Sequence, residues 1–213
     1  MSNDYMDGVL LDMFPVVAVP PSGQLAKPSR DGQRYLVGNS GLFREVSTPW
    51  LYAVYPIASI SGLATPFGEV KTTVTIGCSM PPRELWREFL AEATKALPNE
   101  CAAVFLWNQH TGLWRFAMRE SIAGSPSRVD YREPSIEEDE IVVVDVHSHA
   151  SYGAGFSPRD DRDDAGGIKI AAVFGKVDTP TPEIALRLVC LDNMIALRLD
   201  GDQIVVDRVG VMA

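Results

Sequence analysis

Residues 140–149 read EIVVVDVHSH. Three valines in a row with apolar neighbours make a run that reads as a buried β-strand. It ends in two of the chain's three histidines, His147 and His149. Residues i and i+2 of a strand face the same way, so these two side chains project from one face and Ser148 from the other. Neutral imidazoles at that spacing can hold one metal ion together. A catalytic zinc takes a third protein ligand and keeps a fourth position open.

The third ligand has to come from elsewhere in the chain. His110 stands in NQHTG, a turn between two strands, and is expected at the surface. The acids that follow the histidines fit better. FSPRDDRDD (156–164) carries a helix-start pattern, with Ser157 as N-cap, Pro158 at the first helical position and Asp160 three residues after the cap. An acid there either closes the cap or points back at the strand end, and the pattern leaves both open. Asp163 and Asp164 are supporting or solvated acids. Glu100 lies in LPNECAAVFLW, between a helix stop and a strongly apolar strand. A carboxylate at the mouth of such a strand is costly without a partner. It is either a general base beside the site or an exposed loop residue.

The 213 residues divide by composition. Residues 1–76 hold short β-type runs (PVVAVP, QRYLVGN, GLFREV, WLYAVYPIA, VKTTVTIG) punctuated by turn signals, and read as an all-β segment without catalytic groups. Such a segment seldom buries enough surface to stand alone, so it is expected to pack or to bind a partner or substrate. Residues 77–213 form the second part. Leu85, Trp86, Phe89, Leu90, Ala93 and Leu97 recur at helical spacing, with Glu84 near the start, Lys95 near the end and Pro98 as the stop. Three strands follow (CAAVFLWN, LWRFAMRESIA, EIVVVDVHSH), then a short helix and three or four more strands. PSIEEDE (134–140) reads as a solvated acidic turn.

A net charge of −9 with scattered Lys and Arg argues against nucleic acid as a partner. Cys78, Cys101 and Cys190 are odd in number and lack a CxxC pair, as expected of buried residues in a reducing compartment. GVLLDMFPVVAV is broken by Asp12 and Pro15 and falls short of a membrane span, and Asp4 and Asp7 stand where a secretory signal would be basic. No membrane association and a cytoplasmic location are expected.

Glu100, then His147-Ser148-His149, then ten residues, then Asp160 with Ser157 three before it, resembles the JAMM motif of the MPN (JAB) metalloproteases. The resemblance implies an α+β fold with a curved mixed β-sheet and flanking helices, here preceded by the β-rich segment. It implies zinc bound by His147, His149 and Asp160. Glu100 would be the general base and Ser157 the donor to the oxyanion. The activity implied is hydrolysis of a peptide or isopeptide bond after the tail of a ubiquitin-like or sulfur-carrier-like protein. The alternative is a catalytically silent MPN-type scaffold. The stretch HSHASYGAGFSPRDDRDD and the N-terminal segment are similar to a plasmid-associated bacterial subgroup, PRTRC. Its gene set includes proteins like ubiquitin-activating and ubiquitin-conjugating enzymes, which the likeness implies as partners. Where many family members have proline, this chain has Ala150 and Phe156. Its loop also carries two glycines, an expectation of a looser segment.

Overall fold

A computed structural model describes residues 3–61, 65–125, 128–201 and 203–207, with no side-chain account of 3–5 or 122–130. The chain divides into two compact units between Gly77 and Cys78.

The first unit opens with a helix, α1 (Asn3–Met13), where the sequence reading expects only β structure. The stretch is rich in Met, Leu and Asp, with Val9 its one β-branched residue, and Pro15 lies just beyond it. Met6, Leu10, Leu11 and Met13 are exposed, so no buried stripe marks the helix in the sequence. A five-stranded sheet follows: β1 (Val16–Ala18), β2 (Gly32–Gly38), β3 (Gly41–Ser47), β4 (Leu51–Ser59) and β5 (Thr73–Ile76), side by side in that order. β1 and β2 are parallel and the other neighbours antiparallel. All five β-type runs become strands. Leu36, Phe43, Val54 and Val19 pack as a core, with Tyr52 and Val70 against it. Gly41 has a positive φ of 153°, and a Cβ there would lie 2.1 Å from the Ala58 carbonyl oxygen, so only glycine fits.

The second unit begins with α2 (Arg83–Ala96), which buries Phe89 and Ala93. Its strands are β6 (Ala102–Asn108), β7 (Trp114–Met118), β8 (Glu120–Ser125), β9 (Arg128–Arg132) and β10 (Glu140–Ser148). After the short helix α3 (Pro158–Asp164) come β11 (Ile168–Gly175), β12 (Glu183–Cys190), β13 (Asn193–Asp200) and β14 (Gln203–Val206). Seven strands form one mixed sheet in the order β14-β13-β12-β11-β10-β6-β7, and β8 pairs with β9 as a separate two-stranded sheet. The run LWRFAMRESIA is therefore two strands and not one. It breaks at Arg119, whose guanidinium turns in to pair with Asp145 and Glu133. β9 adds a further strand that the sequence reading does not expect. With its few helices, this is the α+β mixed-sheet architecture expected from the sequence.

β10 sits inside the sheet, antiparallel to β6 and parallel to β11. Strand alternation gives the sheet two unlike faces. On the back, Phe105 and Phe174 meet α2: Trp86 stacks edge-on to Phe105 at 4.8 Å and Phe89 lies 5.5 Å from Phe174. On the front stand His147 and its cross-strand neighbours Ala102 and Val173. The three cysteines are buried and none is in a disulfide. Among the described residues, no helix is long and apolar enough to cross a membrane.

Candidate metal centre

The chain's own register brings the site together. His147 pairs with Ala102 across β6, and Glu100 lies two residues before Ala102, so both side chains belong to the front face. The strand ends are laced by the Ser148 N–H donating to the Cys101 carbonyl (2.9 Å) and the Cys101 N–H donating to Ser148 Oγ (3.0 Å). Ser148, on the back face, is thus a buried fastener. His149 is anchored by its N–H on the Phe174 carbonyl at 2.7 Å.

His147 Nε2 and His149 Nε2 approach to 3.1 Å. Asp160 Oδ1 lies 3.4 Å from His147 Nε2, and Oδ2 lies 3.8 Å from His149 Nε2. One ligand atom from each residue falls within a 4.8 Å cluster. Two nitrogens at tetrahedral positions around a zinc with Zn–N bonds of ~2.0–2.1 Å stand about 3.3 Å apart. The spacing and the donor set, two imidazoles and a carboxylate, fit that ion. Burial pushes the His147 imidazole below its usual range, against the pull of Asp160, which favours the neutral form a metal needs.

Asp160 has both of the roles that the sequence leaves open. The Ser157 N–H donates to Asp160 Oδ2 at 2.6 Å and the Asp160 N–H donates to Ser157 Oγ at 3.3 Å, closing a capping box at the start of α3. Its Oδ1 remains turned toward His147. Burial alone would raise the Asp160 carboxyl; the Ser157 hydrogen bonds and the two imidazoles outweigh it and hold the group below its usual range.

Glu100 is half-buried and lines the same cavity as the triad, a space of about 970 Å³ that also reaches Ser157, Tyr131 and Arg159. Burial raises its carboxyl, and the Asp160 charge adds to the rise while His149 opposes it. A carboxyl with elevated basicity beside a metal triad is suited to take up and return a proton. His110 lies apart and exposed, with Nδ1 3.1 Å from Asp139. The loop of residues 150–156 makes hydrogen bonds at Ala150, Tyr152 and Ala154. The Tyr152 carbonyl accepts from Lys176 N–H, the Ala150 carbonyl from Val177 N–H, and the Ala154 N–H donates to Glu183. A Cβ on Gly175 would lie 2.1 Å from the Ala154 nitrogen, so that glycine lets the loop seat.

Beside the triad runs a line of charges that the sequence reading does not find. Asp145 bonds Arg119 and, at 2.7 Å, Lys169. Lys169 also reaches Asp164 at 2.7 Å, and Arg187 meets Asp164 at 2.6 Å and stacks on the Phe156 ring at 3.8 Å. The two acids left as supporting or solvated therefore part company: Asp164 is buried in this line, while Asp163 is exposed beside Arg159. A charge set inside each of three apolar strands, Asp145 in VVVDVHSH, Lys169 in IKIAAVFG and Arg187 in EIALRLVC, is the signal that could have revealed it.

The model of the family described as prokaryotic homologs of the JAB domain matches residues 82–189, just over half of the chain. A domain of unknown function, DUF2016, matches residues 4–77. No curated protein matches the chain. The solution structure of protein DSY2949 from Desulfitobacterium hafniense is similar over 54% of this chain and 86% of its own, at 18% identity and a TM-score of 0.41.

Proposed function

The chain belongs to the prokaryotic homologs of the JAB domain, and on that premise we propose that it is a zinc-dependent peptidase or isopeptidase. The observation that carries this reading is the convergence of His147, His149 and Asp160 in a cavity shared with Glu100 and Ser157. His147, His149 and Asp160 would hold the ion. When bound, zinc supplies Lewis acidity, which makes water nucleophilic at neutral pH and polarises a carbonyl. Glu100 takes the proton from the attacking water and delivers it to the departing amine. Ser157 accepts the Asp160 N–H with a lone pair, which leaves its hydroxyl proton free to donate to the oxygen of the attacked carbonyl.

The substrate class, the tail of a ubiquitin-like or sulfur-carrier-like protein, follows from the motif's resemblance to the JAMM proteases. The narrower likeness to the PRTRC subgroup supports ubiquitin-activating-like and ubiquitin-conjugating-like proteins as partners. The first unit, which offers no candidate catalytic group, then recruits or restricts substrate.

Glu100→Gln is the test. Glutamine keeps the size and the hydrogen-bonding reach and removes the basic carboxylate. The wild-type protein is expected to carry about one zinc per chain and to cleave a ubiquitin-like tail from an attached lysine. The variant should keep zinc and melting temperature and lose cleavage. A wild type that binds zinc but cleaves nothing, with the variant indistinguishable from it, would favour the scaffold.

A further inference from the structure

We propose that Lys169 is a positioning residue for the metal centre, a fixed ammonium that joins β10 to α3 one step behind the ion and sets the spacing of the ligands. This rests on the zinc reading above. Its Nζ lies 2.7 Å from Asp145 Oδ2 and 2.7 Å from Asp164 Oδ1. Asp145 precedes His147 by two residues on β10, so it projects from the same face. Asp164 follows Asp160 by four residues on α3, so it lies on the same helix face one turn on. The ion would bridge His147 and Asp160. Lys169 bridges the same two elements, from the same two faces, through the next residue of each.

The strut matters because α3 has little hold of its own. It spans seven residues, and a helix that short is not stable by itself. Its capping box fixes the first turn to itself but not to the sheet. Arg187 ties α3 to β12 through Asp161 and Asp164, and Arg119 ties Asp145 to Glu133. Lys169 connects these two halves. A ligand held to a strand only by the ion must be ordered at the moment of binding, which lowers affinity; a ligand held beforehand does not. Supporting contacts of this kind typically change metal affinity by about 10–100-fold.

Removing the ammonium leaves no carboxylate stranded, because Asp145 keeps Arg119 and Asp164 keeps Arg187. Methionine approximates the volume of the lysine stem, so Lys169→Met is expected to fold. The experiment uses the full chain and two readouts: zinc affinity by competition with a chromophoric chelator, and the visible absorption of the cobalt(II)-substituted protein, which reports ligand geometry. Lys169→Met should bind zinc about 10–100-fold more weakly and shift the cobalt spectrum, and Lys169→Gln, which retains donors, should fall between it and wild type. Should the methionine variant fail to fold, the glutamine variant decides on the same two readouts. Wild-type affinity and an unchanged cobalt spectrum in a folded variant overturn the proposal, leaving Lys169 a stabilising residue only. Failure of the wild-type protein to bind zinc would overturn the metal centre itself, and the strut with it.

Discussion

Ser157 combines an observed cap with a proposed part in hydrolysis, two roles that a single substitution would confuse. Its Oγ accepts the Asp160 N–H and so caps α3, while the residue also lines the cavity. Loss of an N-cap costs about 1 kcal/mol. Ser157→Ala should therefore lower the melting temperature and also slow hydrolysis. Ser157→Asn retains a capping oxygen without the hydroxyl, so its melting temperature should recover while its rate does not. If asparagine restored both, the hydroxyl would have no part in the chemistry. For the triad, His147→Ala or Asp160→Ala should each lose most of the bound zinc by elemental analysis, since two ligands hold the ion poorly. The two histidines were legible by strand alternation and Ser157 with Asp160 by the cap offset of three, while Glu100 as a base rests on the resemblance to the JAMM motif. Lys169 and Arg187 follow no such spacing. Each is a lone cation in an apolar strand, and its partner becomes known only when the sheet order is.

At the scale of elements, turn chemistry and alternation served well for β1–β6 and for the four strands after α3. They failed where tertiary contacts decide. The helix α1 has no buried stripe to announce it, and the strand break at Arg119 depends on carboxylates many residues away. The start of β10 shows how such contacts hold a strand. Arg115 on β7 donates to Glu140 Oε1 at 2.6 Å and to the Ser135 carbonyl at 2.9 Å, and the Glu137 N–H donates to Glu140 Oε2. The Arg115 guanidinium first, and the Glu137 N–H after it, bring the Glu140 carboxyl down to about 2 from an ordinary 4.5. A carboxyl depressed in the folded state stabilises the fold above its unfolded pKa and loses that contribution as pH falls through its folded one. Glu140→Gln should thus be less stable than wild type at neutral pH. In urea unfolding, the gap should close as pH drops from 4.5 to about 2; a gap that stays constant with pH would show that packing, not charge, is responsible.

For the whole molecule, the division between Gly77 and Cys78 leaves Glu100, the triad and Ser157 in one unit. A chain beginning at Cys78 should therefore bind zinc with the affinity of the full protein by chelator competition, and loss of binding would place a required element in the first unit. Within the second unit the site's residues differ in how far apart they lie along the chain. Both histidines and Asp160 belong to a single crossover from β10 to α3. Glu100 arrives from the mouth of β6, whose end is fastened to β10 by the bond of Cys101 to Ser148 across 47 positions. Short loops close before long ones during folding. On the proposed reading, the polypeptide thus gains the means to capture an ion before it gains the carboxylate that would make that ion hydrolytic. On partial opening from the β6 side the order would reverse, and the proposed hydrolysis is expected to cease while the metal is still held.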